Sequence, residues 1–331
     1  MGSLPKRKIG THHVSAIGFG AMSFAGFFGP ADDAVSMQTM ADVLEVGIDF
    51  WDTSNIYGMG RSETLIGQFF AQNPQASKEV VLATKAGIIP GPPRRFDNSE
   101  DYIRGELDAS LKRLNRDHVE LYYIHRRDPD IAVEVVAETM GKLIDEGLIG
   151  GWGLSEVSPT TIRRAHSVTP IMAVQNEYSL WSRQPELGVL GTCAALGITF
   201  VPFSPLGRGV LSDVDLNPPT FEAHDFRKAN PRFTEPNWSD NMEGVRAFRA
   251  LAASKGLPTS ALALAWVLNQ GDHVIPIPGS RTGTHVRDWL QAATLALSPA
   301  DMAEINAVLP AGWAFGDRYA PDQRQGVENF A

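Results

Sequence analysis

The sequence predicts an α/β fold of the TIM-barrel type, a (β/α)8 barrel, on three observations. Short apolar or β-branched runs alternate with helical patterns of amphipathic spacing along the chain. Strands that alternate with helices predict parallel pairing, and eight such units close into a barrel. The length of 331 residues suits one barrel domain spanning residues 1–331.

Eight runs of the chain carry the strand pattern, each rich in apolar or β-branched residues and followed by a polar loop. The predicted strands are Ser15–Phe19, Ile48–Trp51, Val80–Ala83, Val119–Ile124, Ile149–Gly153, Met172–Gln175, Thr199–Pro202 and Val274–Pro276. Before the first of them, Lys8–Val14 has the pattern of a small β-hairpin that would cap the bottom of the barrel.

Helical periodicity fills the intervals between the predicted strands. The predicted helices are Asp33–Val46, Glu63–Ala71, Ser99–Leu114, Ala132–Glu146, Pro159–His166, Pro185–Leu196, Met242–Lys255, Thr259–Asn269, Thr284–Ala292 and Pro299–Val308. Ser99, Ser158 and Ser298 each precede Pro or acidic residues and are therefore predicted N-caps. Two segments lack either pattern, Gly207–Asp240 and Pro310–Ala331. Loops of that length in a compact domain are typical either of functional lids or of disordered segments.

Composition excludes several classes of partner. The chain has 29 Lys and Arg against 38 Asp and Glu, a formal net charge of −9, so a general attraction to nucleic acid or to an anionic membrane is not expected. No run of 18 apolar residues predicts a transmembrane helix. The one cysteine, Cys193, excludes an intramolecular disulfide and fits a reducing compartment. The expected location is cytoplasmic.

Polar side chains follow three successive predicted strands. Asp52 and Tyr57 come after the second strand, Lys85 after the third and His125 after the fourth. The carboxyl ends of barrel strands meet at one face, where barrel enzymes place their active sites. Each residue alone also has an ordinary interpretation: a helix cap, a loop anchor, a solvated strand end and a satisfied core histidine. Their occurrence at three successive strand ends favours a common site.

The combination of Tyr, Lys and Asp is suited to proton transfer. A phenol with an ordinary pKa of about 10 is a poor acid at neutral pH unless a nearby cation stabilises its phenolate. Lys85 would supply that cation, and Asp52 would keep the ammonium charged and oriented. His125 would hydrogen-bond a substrate carbonyl or help in proton transfer. A metal-dependent hydrolase would need several His and carboxylate ligands at the strand ends, where only His125 qualifies, so no metal site is predicted.

Seven segments in this order resemble the aldo-keto reductase family over nearly the whole chain: Asp52–Gly58, Ala83–Lys85, Leu121–His125, Trp152–Ser155, Val174–Arg183, Pro205–Gly209 and Ile277–Arg281. Two stretches of the sequence, Tyr122–Arg126 and Glu177–Arg183, are most similar to the branch that includes perakine reductase and auxin-induced-type reductases. The resemblance implies a catalytic tetrad of Asp52, Tyr57, Lys85 and His125. It also implies reduction of aldehydes or ketones to alcohols with NADPH, in the alcohol dehydrogenase and carbonyl reductase class, with Tyr57 as the proton donor.

The resemblance implies cofactor-binding residues after the fifth to the eighth strand. Ser155 and Gln175 match positions that hydrogen-bond the nicotinamide carboxamide, which orients the ring for hydride transfer. Phe203 stands where the family often has a Tyr that stacks on the nicotinamide. The loop along the pyrophosphate would be Ser204, Pro205, Leu206, Gly207 and Arg208, where Gly permits close backbone approach and Arg208 adds charge.

The adenosine end of the cofactor would lie after the eighth strand. Gly279, Ser280 and Arg281 lead toward a helix N-terminus, which suits a phosphate, and Arg281 is the predicted partner of the 2′-phosphate. Two further cofactor residues are His285, where the family often has Arg, and Asp288, which precedes Trp289 where the family commonly has a Glu-Asn pair. NADPH is the predicted cofactor because Arg281 is retained.

Three segments are predicted to form the substrate pocket. They are the first βα loop with Met22, Phe24, Phe27 and Phe28, the stretch Ile88–Phe96, and the C-terminal segment with Trp313, Phe315 and Tyr319. An aromatic wall indicates hydrophobic carbonyl compounds rather than free sugars. The alternative function is an NADPH-binding regulatory or channel-associated subunit with little turnover. The sequence leaves open the physiological substrate, the direction of the reaction and the oligomeric state, as well as whether Gly207–Asp240 folds over the cofactor as a lid.

Overall fold

Seven parallel strands form the centre of the computed structural model, which describes residues 4–329 and residue 331. The strands in chain order are β1 (Lys6–Ile9), β2 (His12–Ser15), β3 (Phe19–Gly20), β4 (Phe50–Asp52), β5 (Val81–Ala86), β6 (Ile88–Ile89), β7 (Arg95–Phe96), β8 (Leu121–Ile124), β9 (Trp152–Ser155), β10 (Ala173–Gln175) and β11 (Thr199–Phe200). The seven pair in the order β3, β4, β5, β8, β9, β10 and β11, each parallel to its neighbour. This curled parallel sheet confirms the predicted barrel class.

The predicted eighth strand, Val274–Pro276, is not a regular strand, although its segment occupies the eighth position. On one side it pairs with β11: Ile275 N donates to Phe200 O at 2.9 Å and Ile277 N donates to Pro202 O at 3.0 Å. On the other side Gly18 N donates to Pro276 O at 2.9 Å and Gly20 N to Pro278 O at 3.0 Å. Pro276 and Pro278 have no backbone N–H and cannot donate a hydrogen bond in the opposite direction. This side of the ladder is therefore bonded in one direction only.

The N-terminal hairpin is confirmed, with different bounds. β1 and β2 pair antiparallel, and Ser15, predicted to begin the first barrel strand, instead ends β2. Its N–H bonds Asp49 Oδ1 at 2.7 Å, just ahead of β4. Ile9 and Val14 of the hairpin share one apolar cluster with interior side chains of the barrel such as Phe50. The hairpin therefore covers the N-terminal ends of the strands and leaves the C-terminal ends free for a site.

The helices lie outside the sheet, and a second, larger apolar cluster fills the space between the two layers. They are α1 (Asp33–Glu45), α2 (Arg61–Gln72), α3 (Pro74–Glu79), α4 (Glu100–Leu114), α5 (Val133–Asp145), α6 (Pro159–His166), α7 (Val189–Leu196), α8 (Asn237–Ser254), α9 (Thr259–Leu268), α10 (Gly283–Thr294) and α11 (Pro299–Val308). The three predicted serine caps are confirmed: Ser99, Ser158 and Ser298 each accept a backbone N–H of the first turn.

Two predictions about helices and loops were wrong, and one helix was missed. The predicted helix Pro185–Leu196 is divided into a 3-10 turn, Gln184–Leu187, and α7, with extended backbone at Gly188 between them. Helix α3 was not predicted. Helix α8 begins at Asn237 and so takes up the end of the segment predicted as the loop Gly207–Asp240, which also contains three short 3-10 turns.

None of the described helices is by itself both long and apolar enough to cross a bilayer. Helices α8 and α9 reach that length and composition only as a pair, with a bend of 92° between them.

Candidate active site

The four predicted catalytic residues converge at the C-terminal end of the barrel. Asp52 is the last residue of β4 and Lys85 lies in β5, so the parallel pairing of these strands brings the two side chains together. Lys85 Nζ donates to Asp52 Oδ1 and to Thr53 O at 2.8 Å. It lies 5.1 Å from the centroid of the Tyr57 ring. The ring of His125, which follows β8, meets the Tyr57 ring edge to face at 5.8 Å.

Burial governs the ionisation of this cluster. Lys85 and Asp52 are 0% and 2% exposed, a cation and a carboxylate that compensate each other out of water. Burial raises the pKa of the Asp52 carboxyl, while Lys85 and Gln175 oppose that rise. Burial likewise raises the pKa of the Tyr57 phenol above its ordinary value, and the Lys85 ammonium acts in the opposite direction. Lys85 therefore lowers the pKa of the Tyr57 phenol, as predicted, but by less than burial raises it.

His125 is held as a neutral imidazole. Burial lowers the pKa of His125 well below its ordinary value, and the positive charges of Arg126, Lys85 and Arg94 lower it further. Ser54 Oγ lies 3.0 Å from His125 Nδ1. When the Ser54 hydroxyl donates to Nδ1, the ring hydrogen is on Nε2, and a neutral donor is available to an oxygen at the site. No role for Ser54 was predicted, although it lies inside the polar run that follows β4.

A cavity of about 690 Å3 contains most of the predicted cofactor residues in its wall. Asp52 and Tyr57 belong to this wall, as do residues of α10. The predicted residues that line it are Gln175, Phe203, Ser204, Pro205, Leu206, Arg208, Gly279, Ser280, Arg281, His285 and Asp288. Its volume is in the range of small-molecule and cofactor sites, about 300–1,000 Å3. The structure thus brings segments after β10, β11 and the eighth-strand position to one groove.

Ser155 and Gly207 are the two predicted cofactor residues outside this wall. Ser155 Oγ accepts a hydrogen bond from Arg126 Nη1 at 3.2 Å and is buried. Gly207 has φ +57, and a Cβ there would meet the Trp181 ring at 2.8 Å. Gly207 therefore permits both the turn and the close packing of this loop. Gln175, which does line the groove, donates from Nε2 to Asp52 Oδ2 at 2.8 Å.

The guanidinium of Arg208 is already paired inside the protein. Its Nη2 donates to Glu177 Oε2 at 3.0 Å, and its Cζ lies 5.2 Å and 5.0 Å from the ring centroids of Phe226 and Tyr319. Arg227, which was not predicted, also lines the groove and is paired with Asp225 at 2.7 Å. The pair of Arg208 with Glu177 joins residues that are far apart along the chain, so it leaves no local signal in the sequence.

The end of the groove near α10 has the features of an anion site. Thr282 N donates to Ser280 Oγ at 3.2 Å, and α10 begins at the next residue, Gly283. A helix N-terminus carries partial positive charge that favours phosphate. Arg281 is exposed beside it and has no carboxylate within 4 Å among the described residues. Trp289 is 1% exposed, packs into the core and forms part of the same wall.

The long loop between β11 and α8 reaches the opposite side of the groove. Phe226 N donates to Phe27 O at 2.9 Å, and the Arg227 guanidinium lies 5.3 Å from the Phe28 ring centroid. Phe27 in turn contacts the Tyr57 ring at 5.9 Å. Met22, Phe24 and Phe28 of the predicted substrate wall line the groove, whereas Phe27, Trp313, Phe315, Tyr319 and the stretch Ile88–Phe96 do not. Trp313 instead stacks on Trp181. Within the described part of the chain, no three His, Cys, Asp or Glu side chains converge as metal ligands.

Comparison with known proteins identifies the family. A family model described as the aldo/keto reductase family matches residues 16–310. The chain is 38% identical to the aldo-keto reductase yakc [NADP(+)] of Schizosaccharomyces pombe, over 96% of this chain and 95% of that one. It is 37% identical to the probable aldo-keto reductase 1 of Glycine max, over 98% and 93% of the two chains. The solved glycerol dehydrogenase AKR11B4 of Gluconobacter oxydans superposes with a TM-score of 0.84, at 26% identity over 96% and 98% of the chains. The chain belongs to the aldo/keto reductase family.

Proposed function

We propose that this protein is an NADPH-dependent reductase that converts aldehydes or ketones into alcohols, with Tyr57 as the proton donor. The observation that carries the proposal is the position of the buried Lys85 ammonium, in contact with Asp52 and 5.1 Å from the ring of Tyr57, two residues that line the large groove. The name of the S. pombe relative includes NADP(+), which supports the choice of cofactor.

The tetrad would act on the carbonyl oxygen. NADPH, when bound, would supply the hydride for the carbonyl carbon. Tyr57 gives its phenolic proton to the oxygen as negative charge develops there, and Lys85 stabilises the phenolate that remains. Asp52 keeps Lys85 charged and in place. His125, as a neutral donor, holds the carbonyl oxygen within reach of Tyr57.

The groove fits a phosphorylated dinucleotide by the chemistry of its donors. The N-terminus of α10, Ser280 and Arg281 would hold the 2′-phosphate end, with His285 and Asp288 beside the adenosine. Phe203 would stack on the nicotinamide, and Gln175 would bind its carboxamide through the amide atoms that Asp52 leaves free. The loop Ser204–Arg208 would follow the pyrophosphate. Ser155 would bind the carboxamide together with Gln175, and its hydroxyl group would then contact both the carboxamide and Arg126.

Three finer assignments belong to the same proposal. Residues 1–331 would form a single barrel domain, of which residues 1–3 and 330 lie outside the described part. The chain would fall within the perakine reductase and auxin-induced-type branch, to which its segments Tyr122–Arg126 and Glu177–Arg183 are most similar. The cytoplasmic location stays a prediction.

The decisive experiment follows nicotinamide absorbance with a panel of aromatic and aliphatic aldehydes and ketones, in parallel with NADPH and NADH. We expect turnover with NADPH. Equal turnover with NADH would remove the role assigned to Arg281. Binding of NADPH without turnover of any carbonyl would favour the regulatory or channel-associated subunit instead.

Tyr57→Phe tests the proton donor. Because the hydroxyl acts on the oxygen only as the reaction proceeds, we expect kcat to fall about 10²- to 10⁴-fold. The Kd of NADPH, measured by protein fluorescence, should change little. A Tyr57→Phe enzyme that keeps full kcat would exclude Tyr57 as the donor.

A further inference from the structure

Two arginine side chains lie beside the tetrad without a carboxylate partner. Arg126 follows His125 directly and is 5% exposed. Arg94 is half-buried in the stretch between β6 and β7. No carboxylate of the described residues lies within 4 Å of either guanidinium, whereas Arg208, Arg227 and Arg318 have partners at 3.0, 2.7 and 2.7 Å. A buried charge without a partner is costly, so these two cations need an explanation.

The hydrogen bonds of Arg126 use only neutral acceptors. Its Nη1 donates to His125 O at 2.7 Å and to Ser155 Oγ at 3.2 Å. Its Nη2 reaches the Tyr319 hydroxyl at 3.5 Å, which is too long for a good hydrogen bond. Its Nε is buried and has no acceptor. The edge formed by Nε and Nη2 therefore has one unmet donor and one weakly bonded donor, the pair that a carboxylate binds with two parallel hydrogen bonds.

Arg94 adds positive charge to the same region. Its Nη1 donates to Gln323 O at 3.2 Å, while its Nε is buried without an acceptor. Burial lowers the pKa of Arg94, and the charge of Arg126 lowers it further. Both arginines also lower the pKa of His125. The proposed site of the carbonyl group is thus adjacent to two cations that repel each other. The Asp322 carboxylate partly offsets the charge of Arg94 but does not pair with it within 4 Å.

We propose that Arg126, assisted by Arg94, binds a carboxylate of the substrate, so that the enzyme prefers carbonyl compounds that carry a negative charge over neutral ones of the same shape. The carboxylate binds the Nε and Nη2 edge of Arg126 and displaces the weakly held Tyr319 hydroxyl. This inference rests on the proposed reductase function and narrows its substrate class. The aromatic side chains of the first βα loop remain available for the apolar part of the substrate.

The test compares matched pairs of charged and neutral aldehydes with NADPH. One pair is 4-carboxybenzaldehyde and its methyl ester, and an aliphatic pair is succinic semialdehyde and butanal. We expect the wild-type kcat/KM to be higher for the acid of at least one pair. Arg126→Gln should lower the acid-to-neutral ratio about 10- to 100-fold, the range expected for a lost charge-assisted hydrogen-bond pair. Arg126→Lys should keep part of the preference, and Arg94→Gln should lower it less.

Arg163→Gln is the matched control, because it removes an exposed arginine on α6 outside the groove. It should leave the ratio unchanged. Turnover of the neutral aldehydes without any preference for the acids would overturn this inference and leave the reductase function intact. A loss of kcat/KM in Arg126→Gln that is equal for both members of a pair would make Arg126 a positioning residue for His125 and Ser155. If Arg126→Gln does not fold, Arg94→Gln provides the test, and an unchanged acid-to-neutral ratio in that variant overturns the inference. If the wild type turns over no carbonyl compound at all, the reductase proposal itself fails.

Discussion

His125 illustrates how the surroundings of a single residue decide its chemistry. A histidine with an ordinary pKa near 6.5 would be partly charged at neutral pH. Burial and three neighbouring cations lower the pKa of His125 well below that value. The ring is therefore a neutral hydrogen-bond donor in the proposed reaction. Proton donation falls to Tyr57, whose phenol lies against both Lys85 and His125.

This neutral state predicts a pH dependence of stability. Below about pH 6.5 the unfolded chain protonates His125, while the folded protein does not. The free energy of unfolding should therefore fall as the pH falls, by up to about 1.4 kcal/mol per pH unit for this group. Urea unfolding of the wild type and of His125→Asn between pH 7 and about pH 5 measures the effect. Since Asp52 and the other titrating groups are present in both proteins, the difference between the two curves isolates His125, and parallel curves would contradict the prediction.

At the scale of elements, two mid-helix glycines have opposite surroundings. Gly67 lies in α2 where α2 crosses the end of α4, and a Cβ there would come within 2.1 Å of Arg113 O. Gly105 lies in α4 itself, and a Cβ there would meet nothing within 4 Å. The first glycine sets the distance between two helices, whereas the second only weakens its own helix.

The two substitutions to alanine should therefore change the free energy of unfolding in opposite directions. Gly67→Ala forces the helices apart and should lower the free energy of unfolding by about 1–3 kcal/mol. Gly105→Ala reduces the conformational freedom of the unfolded chain and should therefore raise the free energy of unfolding by about 0.5–1 kcal/mol. Urea denaturation of the two variants beside the wild type provides the measurement. A destabilised Gly105→Ala, or a neutral Gly67→Ala, would show that the packing of α2 on α4 is not as described.

Strands and helices were predictable where the residues that determine them lie close together in the sequence. The alternation of apolar runs with helical patterns located the strands to within a few residues. The convergence of Asp52, Tyr57, Lys85 and His125 was predictable because parallel strands bring their carboxyl ends to one face. The eighth strand was not predictable in detail, since the effect of Pro276 and Pro278 depends on which neighbour each faces. Arg126 and Ser54 were missed as site residues because their partners, Ser155 and His125, lie on other strands.

At the scale of the whole molecule, a buried ionic network joins three distant parts of the chain. Arg318 of the C-terminal segment pairs with Glu156 at 2.7 Å and Glu177 at 3.3 Å, which follow β9 and β10. Arg208 of the long loop pairs with the same Glu177. Asn230 Nδ2 donates to Arg318 O at 2.7 Å and Arg232 Nε donates to Gly316 O at 3.1 Å. The long loop and the C-terminal segment are thus bound to each other and to the strand ends.

This arrangement predicts that Arg318 controls the order of the segment beside the groove. Glu156 is fully buried, and Arg318 is its cation partner among the residues that the structure describes. Arg318→Met should leave that carboxylate unpaired and lower the free energy of unfolding by about 3–5 kcal/mol. Hydrogen exchange should rise first in residues 310–331, because the tail loses its contacts to both strand ends. Arg324→Met is the control, since Arg324 is exposed and 3.8 Å from Asp317, and its effect should stay within about 0.5 kcal/mol. Equal exchange rates in the two variants would mean that apolar contacts such as that of Gly326 with Phe96, rather than the ionic network, hold the tail on the barrel.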